Sequence, residues 1–153
     1  MAIYYFAYGS NMAPSVMARL CPEHRFLGVA RLDGYQIAFT RRSVRTGTGV
    51  ADIVAKADST VWGVLYEIGE GDVAILDRKE GHGWAYMREP FTVRLESGAE
   101  QQALAYTVRT KESSPVRPSR AYVGGLVNAA RERALPANYI RHLEAMATGD
   151  ARS

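Results

Sequence analysis

Ile3-Tyr4-Tyr5-Phe6-Ala7-Tyr8-Gly9-Ser10-Asn11 is the stretch whose reading settles the fold. Its first six residues are aromatic, β-branched or small, which suits a buried strand, and Gly9, Ser10 and Asn11 then bring in turn chemistry. Met12 to Leu20 follows with the pattern of a short helix. Ser10 or Asn11 is available as its N-cap, and Pro14 is admissible because it falls in the first turn. The order is strand, tight turn, helix. A glycine between a buried strand and a helix lets backbone N–H groups approach a ligand that a side chain would hold away. Any strand-to-helix turn also favours Gly, Ser and Asn, so the tetrapeptide Tyr8 to Asn11 is suggestive by itself and no more. It is not a nucleotide-phosphate loop, because neither Gly-x-x-x-x-Gly-Lys-Ser/Thr nor Gly-x-Gly-x-x-Gly follows.

Further along, the alternation through Val29, Arg31, Gly34, Tyr35, Ile37 and Phe39 predicts two strands joined near Asp33-Gly34. Val50 to Val54 reads as another strand, and Val61 to Ile68 as one buried on both faces. At Asp72 the period becomes helical and runs to Glu80, with Gly81 as C-terminal cap. Ala85 to Glu96 and Gln101 to Arg109 predict a hairpin turning at Ser97-Gly98. Thr110 to Pro118 reads as a loop. Ser119 caps a helix to about Arg133, and Pro136 opens a last helix through Met146. The expected architecture is α+β: a single domain over residues 1–147, with a mixed curved β-sheet or β-barrel and flanking helices, then a mobile tail at 148–153.

Composition narrows the function. With 153 residues, 47% hydrophobic and 23% charged, the chain has the make-up of an ordinary globular domain. No stretch approaches the roughly 18 apolar residues of a membrane helix, and no secretory signal opens the chain, so a cytoplasmic location without membrane association is expected. Cys21 stands alone, which rules out an internal disulfide and a cysteine-rich zinc site. The formal charge is +3, with three lysines against sixteen arginines. Arg41, Arg42 and Arg45 form the best local basic cluster, but they sit among Thr, Ser and Gly residues and read as a solvated loop. They equally suit an anionic substrate. No nucleic-acid partner is expected, since no aromatic stacking array or reading helix accompanies them.

Among the ionisable residues Glu80 is the candidate for proton transfer, placed where a helix ends and a glycine opens the backbone. A solvated glutamate beside Arg78 and Lys79 is the plainer alternative. His24, His82 and His142 have no metal-ligand spacing, so no metal is expected. Ser10 lacks both a histidine partner and a Gly-x-Ser-x-Gly elbow.

The succession of Tyr5-Phe6-Ala7-Tyr8-Gly9-Ser10-Asn11, Ala30-Arg31-Leu32, Val50-Ala51-Asp52-Ile53, Val61-Trp62-Gly63-Val64-Leu65-Tyr66, Leu76-Asp77 with Glu80-Gly81, Pro118-Ser119 with Tyr122, and Leu135-Pro136 with Tyr139 resembles the γ-glutamylcyclotransferase family from about Tyr4 to Leu143. The resemblance implies a mixed β-barrel with flanking helices and a cofactor-free enzyme. It implies that a γ-glutamyl amide is converted to 5-oxoproline and a free amine by attack of the substrate's own α-amino group. The loop matching Tyr5 to Ser10 would bind the γ-glutamyl moiety, with Asn11 completing it, and Glu80 would be the catalytic acid and base. Tyr122 aligns with a substrate-contacting tyrosine, and Tyr86 lies where many members place another. Asn11 departs from the similar glutathione-degrading relatives, which usually carry leucine there. Around Arg41 to Gly49 the chain departs from the animal enzymes, because Arg45 or Thr46 stands where a tryptophan often precedes a glycine pair. A non-catalytic small-acid binding module on the same fold is the alternative.

Overall fold

Two long strands frame the molecule. β2 (Arg25–Arg42, 18 residues) and β3 (Gly49–Ile68, 20 residues) run antiparallel along almost their whole length. The sequence predicted four shorter strands here, and the difference has a local cause. At Asp33-Gly34 the chain does not turn back: Gly34 adopts φ +83°, and the register shifts between the pairs Asp33↔Thr60 and Tyr35↔Ala55. Residues 56–59 are absorbed opposite this point, with Asp58 at φ +68°. Such an irregularity bends a strand without ending its ladder. The reversal comes instead at residues 43–48, where the Ser43 N–H donates to the Thr48 carbonyl (2.9 Å). Arg41 and Arg42 therefore end a strand rather than occupy a loop.

β1 (Ile3–Ala7) lies antiparallel to β3, from Ile3↔Ile68 to Ala7↔Val64, and touches β5 (Glu100–Val108) in parallel at Tyr5↔Leu104. β4 (Tyr86–Leu95) pairs with β5 along its length and reaches β2 at Ala30↔Leu95. The order β1-β3-β2-β4-β5 closes into a barrel, as the curved mixed sheet anticipated. This computed structural model describes residues 2–147, and the tail expected at 148–153 lies outside the described residues. The seam beside β1 is tight. A Cβ on Gly63 would fall 2.3 Å from the Ala7 carbonyl oxygen and 2.9 Å from the Phe6 ring, so only glycine fits.

Among the described residues four α-helices flank the barrel. A 3-10 turn (Ser10–Met12) leads into α1 (Pro14–Leu20), whose N-cap is Ala13; the predicted cap by Ser10 or Asn11 is not made, because both side chains are engaged elsewhere. α2 (Glu70–Glu80) opens with the Asp72 carboxylate accepting from the Gly69 N–H (3.0 Å) and ends on Gly81 in the left-handed region, as predicted. α3 (Arg120–Glu132) starts at Ser119, whose hydroxyl accepts from the Tyr122 N–H (3.0 Å). Val123, Leu126, Val127 and Ala130 recur at helical spacing and are buried, and α3 packs on α4 (Ala137–Ala147). No helix among the described residues is long and apolar enough to cross a membrane.

Candidate active site

β1 sets the first wall of a cavity at one end of the barrel. Tyr5 is on the strand, Tyr8 just beyond its end, and Gly9 leads into the 3-10 turn, whose opening N–H groups have no intrahelical acceptor. The turn is fixed from behind. Tyr66, on β3, donates its hydroxyl to the carbonyls of Asn11 (2.8 Å) and Met12 (3.0 Å), while Arg133 donates to the Met12 carbonyl (3.0 Å) and to the Tyr66 hydroxyl (3.1 Å). The Arg133 guanidinium also lies 4.1 Å over the Phe26 ring.

Asn11 is the joint between this wall and α2. It is 3% exposed, and its amide nitrogen donates to the Tyr5 hydroxyl (2.8 Å) and to Glu80 Oε2 (3.3 Å). Its amide oxygen accepts from Lys79 Nζ, which also donates to Ser10 Oγ (3.1 Å) and stands 3.5 Å from Glu80 Oε2. Both N–H donors of the amide are thus used, one of them to aim the carboxylate. Glu80 itself ends α2, with Gly81 at φ +68°, and its side chain is 19% exposed. One turn earlier, Asp77 accepts from Arg88 and from the Tyr106 hydroxyl (2.7 Å). Burial works to raise Asp77, but hydrogen bonds from Arg88 and Tyr106 and the Arg88 charge hold it below the ordinary carboxylate range.

The opposite wall is built on the backbone of Ala51. The Ala51 N–H donates to the Tyr122 hydroxyl (3.0 Å), and the Ala51 carbonyl accepts from the Tyr86 hydroxyl (2.7 Å). One residue of β3 thereby orients two phenols, leaving the Tyr122 proton and the Tyr86 lone pairs free for a ligand. Burial pushes Tyr122 up to about 12, and burial together with neighbouring phenols and carboxylates pushes Tyr86 higher still. Burial raises Tyr5 and Tyr8 as well. These phenols are neutral at physiological pH.

Together Tyr5, Tyr8, Gly9, Ser10, Asn11, Ala51, Glu80, Tyr86, Tyr106 and Tyr122 enclose about 350 Å³ including the open mouth. The sequence-predicted set therefore converges, with two exceptions. Phe6 is fully buried in the core and Ala7 packs its carbonyl against Gly63; neither lines the cavity. Three contributors were missed. Tyr106 reads as an ordinary core tyrosine until barrel closure brings it edge-on to Tyr5, 5.9 Å between ring centroids. Ala51 contributes through its backbone, for which a side chain gives no signal. Lys79 figures in the sequence only as a neighbour of Glu80. Among the described residues no three or more His, Cys, Asp or Glu side chains are grouped to hold a metal ion. His82 instead accepts from the Arg88 N–H (3.0 Å).

Known proteins resemble this chain over most of its length. The profile of the family described as γ-glutamyl cyclotransferase, AIG2-like, matches residues 5–124. The γ-glutamylcyclotransferases of Bos taurus and Homo sapiens are each 30% identical to this chain over 151 residues, covering 95% of it and 79% of theirs. A solved γ-glutamyl cyclotransferase superposes with a TM-score of 0.88 at 27% identity, covering 95% of this chain and 88% of its own. With the profile spanning both walls of the cavity, the chain belongs to the γ-glutamyl cyclotransferase family.

Proposed function

We propose that the protein is a cyclotransferase that converts a γ-glutamyl amide into 5-oxoproline and a free amine, with Glu80 moving the protons. The observation that carries the assignment of Glu80 is its carboxylate at the wall of the tyrosine-lined cavity, held there by the Asn11 amide at 3.3 Å. The substrate brings its own nucleophile. Glu80 takes a proton from the α-ammonium, the freed amine attacks the γ-carbonyl carbon, and a five-membered ring closes as the new N–C bond forms. Collapse of the tetrahedral adduct breaks the original amide C–N bond. Between the ammonium and the lactam N–H the α-nitrogen gives up two protons, and the departing amine gains two to leave as an ammonium. Glu80 accepts and returns them in turn, a role typically worth roughly 10²- to 10⁴-fold in rate.

The remaining groups hold the extended γ-glutamyl chain in its folded conformer. Intramolecular attack in correct geometry reaches effective molarities on the order of 10⁵ M or more. The neutral phenols of Tyr86 and Tyr122 contact the substrate from the Ala51 side, and the N–H groups at Gly9 and Ser10 face the negative charge of either the α-carboxylate or the developing oxyanion. Asn11 acts through Glu80 by aiming its carboxylate, and Tyr5 accepts from the other N–H of the same amide. Phe6 and Ala7 support the loop from the core rather than touch substrate. No observation favours a non-catalytic small-acid binding module. The test is release of 5-oxoproline from γ-glutamyl amino acids, γ-glutamyl-ε-lysine and glutathione by the native protein and by Glu80→Gln. Release that vanishes in the variant supports the reading, and turnover that survives it removes Glu80 from the mechanism.

A further inference from the structure

Arg41 is left unused by the chemistry above. It lies near the end of β2, in register with Val50, one residue before the Ala51 that orients Tyr86 and Tyr122. Its charge acts on the Tyr86 hydroxyl, opposing the burial that raises that group. Among the described residues Arg41 has no carboxylate within ion-pair distance; its guanidinium is held 5.4 Å from the centroid of the Trp84 ring. Trp84 is 65% exposed, an uncommon state for the largest apolar side chain. The indole covers the backbone immediately after Glu80, since a Cβ on Gly81 would lie 2.7 Å from its ring. A tryptophan face and an arginine without an ion pair thus stand together, the indole over the Gly81 that follows Glu80 and the arginine within electrostatic reach of Tyr86.

The reaction says what must pass there. Glu80 returns protons to the leaving nitrogen, which therefore lies within hydrogen-bond reach of its carboxyl. The γ-glutamyl part fills the cavity, so whatever the amine carries projects outward past Glu80. Of the cations around Glu80 and the Trp84 loop, Lys79 is already committed to Asn11 and Ser10, and Arg109 donates to the Gly83 carbonyl (2.9 Å). Among the described residues the Arg41 guanidinium is held by a ring face only, an interaction that leaves the edge of its planar fork open to a carboxylate. We infer that Arg41, shelved on Trp84, is a specificity-determining residue that takes a carboxylate on the leaving amine, so that amides of amino acids are preferred over amides of simple amines. The inference rests on the cyclotransferase reading.

Two matched substrates test it: γ-glutamyl-L-alanine and γ-glutamylethylamide, which differ by the one carboxylate. Native protein should favour the first by about tenfold in kcat/KM, the scale of one charge-assisted pair at a partly wet site. Arg41→Gln should lower that ratio toward one, chiefly through KM for γ-glutamyl-L-alanine, and Trp84→Ala should lower it partway by loosening the arginine. Thermal melting of both variants establishes that they fold. A ratio unmoved by Arg41→Gln, or an equal loss on both substrates, reduces the pair to a surface cation–π contact and overturns the assignment while leaving the cyclotransferase reading intact. Absence of 5-oxoproline from both substrates with native protein overturns that reading, and the role of Arg41 falls with it.

Discussion

The loop that follows β1 and the loop that follows α2 face the same cavity and are built in opposite ways. In the first, Tyr8, Asn11 and Met12 are buried, and the turn is bound by Tyr66, Arg133, Lys79 and Glu80. In the second, Trp84 stands largely in solvent with Arg41 against it. Each loop depends on a glycine, for different reasons. A Cβ on Gly9 would meet nothing within 4 Å and Gly9 has negative φ, whereas Gly81 has φ +68° and no room for a Cβ beneath Trp84. The space over Gly9 is open at the cavity wall, and the glycine at 81 is architecture. On the proposed reading, the fixed loop grips the shared γ-glutamyl part and the open loop meets the variable amine.

The sharpest way to break this comparison is Glu80→Gln, which keeps the size and the Asn11 contact but cannot accept a proton. Turnover should fall by roughly 10²- to 10⁴-fold with 5-oxoproline binding retained. Next is Asn11→Leu, which strips partners from the Tyr5 hydroxyl and Lys79 and should cost on the order of 1–3 kcal/mol of stability by denaturant unfolding, along with activity. Trp84→Ala in the open loop should stay within about 0.5 kcal/mol of native, and an equal loss at both positions would erase the distinction between the loops. The glycines sharpen it further. Gly81→Ala should destabilise by about 1–2 kcal/mol because an L-residue is strained in the left-handed region. Gly9→Ala should leave the melting temperature unchanged yet weaken 5-oxoproline roughly tenfold, about the cost of one methyl forced into a filled site. Unchanged affinity would remove Gly9 from the cradle.

The smallest effect is in pH. The folded state raises Tyr122 to about 12 from an ordinary value of 10.0, through burial first, so its protonated form is the one that folding favours. The stabilisation linked to it is complete below pH 10 and is lost as pH rises through about 12. Tyrosinate absorption followed against pH should show the cavity phenols titrating late, together with alkaline unfolding. Early titration would mean that the tyrosine wall is open to water.

Legibility followed the range of the interactions. The strand ending at Gly9, the helix ending at Gly81 and the Ser119 cap were readable, because each depends on residues within one turn of the position itself. The division of β2 and β3 was misread for the same reason: Asp33-Gly34 is a good local turn signal, but pairing along β3 passes straight through it with a shifted register. Ser10 or Asn11 suits the N-cap by residue type, and the sequence does not show that Lys79, Tyr5 and Glu80 offer them better partners.

The candidate acid and the glycine turn were visible because their residue types and order carry the resemblance to a known family. Tyr106 and Ala51 were not, because nothing local separates them from other strand residues. The sequence by itself determined the order of elements, the presence of the Gly9 turn and the end of α2 at Glu80, all set by backbone preferences and periodicity. Only the tertiary structure decided that Tyr106 meets Tyr5, that the backbone of Ala51 orients two phenols, and that Arg41 lies on Trp84. Those are contacts between residues far apart in the chain, and they exist only once the barrel has closed and fixed which strand faces which.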